Sequence, residues 1–506
     1  MGARHPPRSL RSLRGRAAGR RVSTHPAPPF DAWAWLQACN ETALANLDPR
    51  AWVAPLRERR LAALLNVAQR DSPLYRRRWG GARTLADLEP VSKTELMQGF
   101  DDWATDRAIT REGAEALLAD PASLSDAWLG RYLVWSSSGT SGEPGIFVQD
   151  AASLAAYDAI DSLRLRGPVH APGLWGMGRT FAYVGATGGH FAGVASVERL
   201  RRLAWAPWAP RVQVLSVQTP LPALAAALQA MSPQVLVTYP SCAVALAALQ
   251  QAGDLHLRLD ELWLGGEQLS AAQRQQLGQT FACPVRNNYG ASECYSIACA
   301  CALGRLHLND DWVLLETLDR QGRPVAPGET AHTVALTNLA NRTQPLLRYV
   351  LTDRVRYLTH PCACGSHFPA IEVQGRADDT LVLPAAGGRK AVLLPLALES
   401  VIEEAGGVTQ FQLLQLSAKS LELRLAPAAP GTPGVADPAA AHARCAAALD
   451  AFLRAHGAQG VHITRGRQAP CRDARSGKLR RVIGLQDGPS EPPQQTAAGH
   501  RARRST

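Results

Sequence analysis

The sequence has no stretch that fits a membrane span or a secretory signal. No run of about 18 residues is apolar throughout, and the richest apolar stretch, residues 235–249, contains Pro240, Ser241 and Cys242. Residues 1–21 carry many arginines and no acidic residue, but they lack the apolar segment that defines a secretory signal. We therefore expect a cytoplasmic protein without a membrane partner.

Lysine is scarce, since only four of the 54 lysine and arginine residues are lysines. They are Lys93, Lys390, Lys419 and Lys478. Much of the net charge of +11 lies at the two ends of the chain, where blocks of one sign are typical of solvated tails. We expect disordered basic tails over residues 1–30 and 488–506, and no nucleic-acid partner. The first segment is also compatible with a transit peptide, or with a true start further along the chain.

The ten cysteines are mostly isolated along the chain, which favours reduced thiols or a metal site over disulfides. Cys301 and His307 precede a region of β pattern, and Cys362 with Cys364 follow some sixty residues later. Thiolates and an imidazole in a set of four suit tetrahedral Zn²⁺. Free thiols and a histidine on a β surface are the alternative, and Cys299 is a possible substitute in the set.

The pattern of apolar residues divides the chain into two parts. Residues 31–80 have helical spacing, and from about residue 134 to 383 short apolar strands alternate with helices. This alternation predicts an α/β fold with a mostly parallel sheet flanked by helices. We expect a large N-terminal domain over residues 31–377 and a small, mobile C-terminal α+β domain over residues 378–487.

The stretch VWSSSGTSGEPGIFV begins at Val134 and places small polar residues between two apolar runs. The immediate return to apolar residues favours a tight loop between two strands over a flexible linker. Glycine N–H groups and the hydroxyls of serine and threonine can hold phosphate oxygens. A plain hairpin turn is the alternative, and a Walker loop is excluded because no Gly-Lys-Ser/Thr follows.

Five further stretches follow in order along the chain. They are LGGEQLS (264–270), NNYGASE (287–293), LLRYVLTDRV (346–355), GRADD (375–379) and DARSGKLRRV (473–482). In this order they resemble the adenylate-forming superfamily, the acyl-CoA synthetases and their relatives, and most closely its phenylacetate–CoA ligase branch. Within that branch the chain is similar to the synthetases that adenylylate the deazaflavin coenzyme of methanogens and to uncharacterised bacterial adenylate-forming enzymes. CALGRLHLNDD, TQPLLRY, PCACGS and IEVQGRADD carry this narrower match, and the resemblance covers about residues 50–485.

The resemblance implies an enzyme that uses ATP and Mg²⁺ to activate a carboxylic acid, by resemblance an aryl acid, as its acyl-adenylate. The acyl group would then pass to the thiol of CoA or of an acyl carrier protein. The small domain would rotate about a hinge near Asp378–Asp379 between the two steps. Two alternatives stay open: transfer of AMP to a hydroxyl of an acceptor, and nucleotide binding without catalysis.

The resemblance also assigns roles to individual residues. Lys478 would bridge the carboxylate and the α-phosphate, Ser292 would reach the α-phosphate, and Glu293 would hold Mg²⁺. Tyr289 would stack on the adenine, and Asp353 would accept hydrogen bonds from both ribose hydroxyls. The other expected nucleotide contacts are Ser137, Ser138, Gly139, Thr140, Ser141 and Gly142 of the loop, Gly266 and Glu267 beside the adenine, and Asn288, Gly290 and Arg376.

One loop position departs from the superfamily. Many members have a lysine after Gly-x-Pro, whereas this chain has Gly145 there. The phenylacetate-type branch often lacks this lysine, so the change does not exclude catalysis, but it removes one expected contact to pyrophosphate. We expect the acyl group to lie near residues 183–191 and 238–241, with His190 and Tyr239 either lining its pocket or belonging to the core.

Overall fold

The computed structural model describes most of the chain. The described residues are 26–79, 84–137, 144–165, 179–203, 211–351, 353–376, 379, 381–388, 390–393, 395–408, 410–426, 438–472 and 479–485.

Thirteen α-helices lie within these residues. They are α1 Ala32–Leu47, α2 Pro49–Asp71, α3 Pro73–Trp79, α4 Lys93–Gln98, α5 Phe100–Trp103, α6 Arg111–Ala119, α7 Ala151–Ile160, α8 Ala192–Leu203, α9 Leu221–Met231, α10 Pro240–Ala252, α11 Ala271–Phe281, α12 Pro395–Gly406 and α13 Pro438–Ala455. A π-helical turn, Asp161–Leu165, extends α7.

Twenty strands accompany these helices in the described part of the chain. They are β1 Leu133–Ser136, β2 Ile146–Gln149, β3 Phe181–Gly185, β4 Val212–Ser216, β5 Val235–Thr238, β6 Glu261–Gly265, β7 Val285–Tyr289, β8 Ala298–Ala300, β9 Leu306–Leu308, β10 Val313–Leu318, β11 Thr333–Asn338, β12 Leu346–Leu351, β13 Asp353–Tyr357, β14 Ala370–Arg376, β15 Leu381–Pro384, β16 Lys390–Leu393, β17 Phe411–Ser417, β18 Ser420–Leu425, β19 His462–Arg465 and β20 Val482–Ile483.

The central sheet has nine strands in the order β13-β14-β9-β8-β7-β6-β5-β3-β4. Its strands β4, β3, β5, β6 and β7 are parallel, and the remaining pairings are antiparallel. The mixed α/β class predicted from the sequence is confirmed, but the sheet is only about half parallel. The reason is the connection from β7 to β8, which spans residues 290–297 and is too short for the helical crossover that a parallel pair needs.

Both faces of the parallel strands are covered by helices, as the alternation of side chains along β3 illustrates. Ala182 and Val184 join the apolar core formed with α9, α10 and α11. Tyr183, between them, belongs to the cluster with Val194 and Val197 of α8 on the other face. Successive side chains of a strand point to opposite faces, which explains why these strands read as continuous apolar runs.

The C-terminal lobe, defined here as the described residues from Asp379 to Leu485, has an apolar core of its own. The sheet β19-β18-β17-β20 packs with α12 and α13 around Phe411, Leu413 and Leu449. Arg481 lies buried between the carboxylates of Glu399 and Glu403. These elements form the small α+β unit predicted from the sequence, while the exact boundaries 31–377 and 378–487 stay a prediction.

Residues 26–30 fall within the predicted N-terminal tail but contact helix α8. The carbonyl oxygen of Pro29 accepts a hydrogen bond from Nε of Arg199 at 3.0 Å, and that of Pro26 accepts one from Arg202 at 2.6 Å. Arg199 is only 1% exposed and also pairs with Asp158. Pro26 and Pro29 are therefore held against α8, which the sequence alone did not indicate.

Deleting residues 1–30 is expected to lower the free energy of unfolding relative to deleting residues 1–25. The longer deletion removes the Pro29 acceptor from the buried Arg199 guanidinium, at a cost of about 1–3 kcal/mol. Thermal and urea unfolding of the two truncated chains would measure the difference. Equal stability of both chains would show that the segment contributes nothing.

In the described part of the chain, every helix is too short or too polar to cross a lipid bilayer.

Candidate active site

A cavity of about 1160 Å³ opens at the carboxyl ends of the parallel strands. Ligands of open α/β sheets bind at this edge, where the loops that follow successive strands converge. Nine residues predicted as catalytic or nucleotide-binding line the cavity. They are Ser137, Gly266, Glu267, Asn288, Tyr289, Gly290, Ser292, Glu293 and Asp353.

Two glycines shape the loops that follow β6 and β7. Gly266 has φ of +75°, a conformation that residues with a Cβ rarely adopt. A Cβ on Gly290 would lie 2.0 Å from the carbonyl oxygen of Tyr295, so only glycine allows the loop to fold back on itself. The serine and glutamate that follow Gly290 are thereby directed to the cavity wall.

Tyr289 and Asp353 form a hydrogen-bonded pair in the wall. The Tyr289 hydroxyl donates to Oδ2 of Asp353 at 2.8 Å. Burial first, and the Asp353 carboxylate second, raise the pKa of Tyr289 well above its usual value, so the hydroxyl stays protonated and remains a donor. The pair joins the end of β7 to the start of β13, which brings the predicted adenine and ribose contacts into one wall.

Ser292 and Glu293 are held in place by aromatic side chains. The indole Nε1 of Trp135 donates to the carbonyl oxygen of Ser292 at 2.8 Å. The Tyr349 hydroxyl donates to Oε1 of Glu293 at 2.8 Å. No cation of the described residues forms an ion pair with Glu293, and its carboxylate lines the cavity. An oxygen ligand of this kind fits Mg²⁺, which prefers carboxylates and phosphate oxygens.

Glu267 joins the large domain to the C-terminal lobe, a role that the sequence did not indicate. Its carboxylate accepts hydrogen bonds from the backbone N–H and the hydroxyl of Ser241, both at 2.9 Å, at the start of α10. Oε1 also accepts the backbone N–H of Leu479 at 2.7 Å. The residue that follows Lys478 is therefore bound at the cavity wall, and an adenine contact of Glu267 stays a prediction.

Further polar contacts hold the C-terminal lobe against this edge. The Arg472 guanidinium donates to the hydroxyl of Ser241, and the Gln410 amide donates to the Ser241 carbonyl oxygen at 3.4 Å. Asp379, at the predicted hinge, accepts a hydrogen bond from Nε of Arg480 at 3.0 Å. The segment after Lys478 is thus tied both to Asp379 and to Glu267.

The predicted phosphate-binding loop lies partly outside the described residues, and the predicted catalytic lysine, Lys478, lies wholly outside them. Strands β1 and β2 form the expected antiparallel pair, and Ser137 closes the base of the loop by accepting the N–H of Gly145 at 2.7 Å. Outside the described residues lie Ser138, Gly139, Thr140, Ser141, Gly142, Lys478 and the side chain of Arg376.

Lys93 is a cavity residue that the motif analysis missed. It begins α4, it lines the cavity, and its Cδ lies 3.4 Å from the point where a Cβ on Gly145 would stand. The same Cβ would lie 2.7 Å from the ring of Phe147, which explains why position 145 has no side chain. The scarcity of lysine was the one sequence signal that singled out Lys93.

An apolar region of the cavity lies beside the strand ends of β3 and β5. Tyr183 and Tyr239 share a hydrogen bond there, and a Cβ on either Gly185 or Gly193 would approach the Tyr183 hydroxyl to 2.4 Å. The wall is completed by Leu154, Tyr157, Phe181, Phe191, Val237, Trp263 and Tyr295.

Of the two residues expected near the acyl group, only Tyr239 is among the residues that line the cavity. His190 is 3% exposed, and its Nε2 donates to the carbonyl oxygen of Asp120 at 3.0 Å. His190 therefore belongs to the core in the described structure.

No family model matches the sequence, and no curated protein matches it significantly. Solved structures of a 2-hydroxyisobutyryl-CoA ligase do match. In the postadenylation state with 2-HIB-AMP, that ligase is 21% identical, the match covers 84% of this chain and 88% of the ligase, and the TM-score is 0.58. With R3-HIB-AMP the identity and coverage are the same and the TM-score is 0.56. An open conformation with 2-HIB-AMP and CoA gives 21% identity, 85% and 90% coverage and a TM-score of 0.50.

At this level of identity the likeness establishes the fold, which this chain shares with the 2-hydroxyisobutyryl-CoA ligase. The broad resemblance read from the sequence motifs agrees with it. The narrower resemblance to the phenylacetate–CoA ligase branch and to the synthetases of methanogens stays a prediction.

Proposed function

We propose that this protein activates a carboxylic acid with ATP as an acyl-adenylate and transfers the acyl group to the thiol of CoA. The observation that carries the proposal is the convergence of Glu293, the Tyr289–Asp353 pair and the segment beside Lys478 on one cavity. The fold is shared with a ligase whose structures contain 2-HIB-AMP and CoA, which supports the same order of steps here.

In the first step a carboxylate oxygen of the acid attacks the α-phosphorus of ATP. The bond from that phosphorus to the bridging oxygen breaks, and pyrophosphate leaves with the bonding electrons. Catalysis of this displacement consists of positioning the two reactants and of stabilising the charge that develops on the phosphate oxygens. Lys478 and Ser292 are proposed to act at the α-phosphate. Bound at Glu293, Mg²⁺ would neutralise phosphate charge without a proton transfer.

The nucleotide would be held mainly by its ribose and its β- and γ-phosphates. The Asp353 carboxylate is held by Tyr289 through Oδ2, and it can still accept hydrogen bonds from the ribose hydroxyls because each oxygen has two acceptor sites. We propose that Lys93 supplies the positive charge at the pyrophosphate that the loop lacks at Gly145. Its position along the wall beside Gly145 supports this role.

The second step needs a path for the thiol to the acyl carbon. The thiol sulfur forms a bond to that carbon, AMP leaves, and the thiol proton is released. Among the described residues, three hydrogen bonds tie the C-terminal lobe to Ser241 and Glu267, and a rotation of the lobe would break them. Such hinge movement is common in enzymes that use one site for two steps.

The apolar end of the cavity supports an aryl or other bulky apolar acid. Its wall contains two pairs of aromatic rings, Tyr157 with Tyr295 and Phe181 with Trp263, and the ring centroids of each pair lie 5.8 Å apart. The flat ring of a substrate can pack against such side chains with favourable edge contacts.

The test is a pyrophosphate-exchange assay with a panel of aryl and aliphatic acids, followed by thioester analysis with CoA. We expect exchange with at least one acid, and Asp353→Ala should weaken ATP binding by about 1.5–3 kcal/mol because charge-assisted hydrogen bonds are lost. The exposed Asp254→Ala variant is the matched control and should bind ATP normally.

Different products would decide between this proposal and its alternatives. ATP binding without exchange for any acid would indicate a nucleotide-binding protein without catalysis. AMP linked to a hydroxyl of an acceptor, with no thioester, would identify an adenylyltransferase instead.

A further inference from the structure

Four side chains from two distant parts of the sequence meet beside strands β9 and β14 of the large sheet. Cys301 lies in the turn between β8 and β9, His307 lies on β9, and Cys362 and Cys364 lie between β13 and β14. Their ligand atoms all lie within 4.8 Å of one another. His307 and Cys362, the nearest members of the two halves, are 55 positions apart in the sequence, and the antiparallel pairing of β9 with β14 brings the halves together.

The spacing of these atoms fits one tetrahedral ion. Zinc bonds of about 2.3 Å to sulfur and about 2.0 Å to nitrogen place two sulfurs about 3.8 Å apart, and a sulfur and a nitrogen about 3.5 Å apart. The Sγ atoms of Cys301 and Cys362 are 3.9 Å apart. Sγ of Cys364 and Nε2 of His307 are 3.4 Å apart. A disulfide would instead need sulfurs about 2 Å apart.

The groups around the four side chains are those that support a zinc site. Nδ1 of His307 donates to the carbonyl oxygen of Phe368 at 2.9 Å, which leaves Nε2 as the ligand, and such a second partner fixes the ring of a metal-bound histidine. The backbone N–H of Ser366 points to Sγ of Cys364 at 3.4 Å. Cys364 is exposed while Cys362 and His307 are buried, so an ion can enter from solvent.

We propose that Cys301, His307, Cys362 and Cys364 bind a structural zinc ion. Four protein ligands leave no open position, which is the arrangement of structural rather than catalytic zinc. The ion would fasten the β8–β9 turn to the hairpin of β13 and β14. That hairpin starts at Asp353 and ends at Arg376, next to the hinge, so the ion would stabilise the frame that holds the nucleotide contact and the C-terminal lobe.

Metal analysis of the purified full chain after gel filtration should find about one zinc ion per chain. Cys301→Ser should lose the zinc and lower the melting temperature. Cys299→Ser is the matched control, because Cys299 is a buried cysteine on β8 that lies outside the set, and it should keep its zinc. Replacement by Co²⁺ in the unaltered chain should give the intense visible absorption of tetrahedral cobalt thiolate, which tests the ligand set even if a variant fails to fold.

Two results would overturn the proposal. One is a folded chain that holds no zinc after purification in zinc-containing medium and whose ten thiols all react with a thiol reagent once the chain is unfolded. The other is a loss of zinc from Cys299→Ser equal to the loss from Cys301→Ser.

Discussion

Replacing Lys478 with alanine is expected to slow acyl-adenylate formation by roughly 10²–10³-fold, while the conversion of a preformed acyl-adenylate to thioester continues. The backbone N–H of Leu479 binds Glu267 at 2.7 Å, and Arg480 binds Asp379 at the predicted hinge, so the segment that follows Lys478 is held at the cavity. A cation next to the α-phosphate stabilises the negative charge that develops there in the transition state of adenylation. Loss of one such group costs roughly 10²–10³ in rate.

Two assays on the same variant separate the steps. Pyrophosphate exchange measures adenylation, and a synthetic acyl-adenylate with CoA measures thioester formation alone. The control is Lys390→Ala, since Lys390 is an exposed lysine of the same lobe, and it should retain both activities. Normal exchange by Lys478→Ala would refute the role, and equal loss of both activities would point to misfolding of the lobe.

Lys93→Ala is expected to slow adenylation by roughly 10- to 100-fold and to weaken the binding of ATP more than that of AMP. The β- and γ-phosphates carry most of the charge of ATP, and AMP lacks them. Lys93 stands beside Gly145. Gly145 occupies the loop position at which many members of the adenylate-forming superfamily, which the sequence resembles, have a lysine. A charge-assisted hydrogen bond to phosphate contributes about 1.5–3 kcal/mol, which sets the size of the expected loss.

Titration calorimetry with ATP and AMP measures the difference directly. Lys93→Arg keeps the charge and should restore part of the ATP affinity, whereas Lys419→Ala, in an exposed turn, should change neither ligand. An equal loss of affinity for ATP and AMP would place Lys93 away from the pyrophosphate. An unchanged affinity for both ATP and AMP would mean that Lys93 supports the fold and does not contact the phosphates.

The sequence predicted the elements of the parallel half of the sheet because each of them has a strong local pattern. The helices α9, α10 and α11 and the strands β5 and β6 match runs of apolar residues with the period of their structure. The antiparallel half was less apparent from the sequence, since β8 and β9 have only three residues each. Their pairing depends on short connections and on neighbours that are distant along the chain.

Most of the described residues expected at the site from motifs lie on one cavity wall. Motifs locate residues that follow strand ends, and the ends of parallel strands meet at one edge. They did not reveal Lys93, which reaches the cavity from a separate helix, or the hydrogen bonds of Glu267 to Ser241 and Leu479. Such contacts join segments with no shared pattern in the sequence.

By itself, the sequence determined the α/β class, the order of the elements with strong periodicity and the set of chemical groups available for a nucleotide site. These properties depend on residues close together along the chain, where apolar spacing and turn residues act directly. Only the tertiary structure decided which of those groups meet. The association of Cys301 and His307 with Cys362 and Cys364, the pairing of Tyr289 with Asp353 and the position of Lys93 beside Gly145 all follow from strand order and packing, which bring residues from separate segments within a few ångströms.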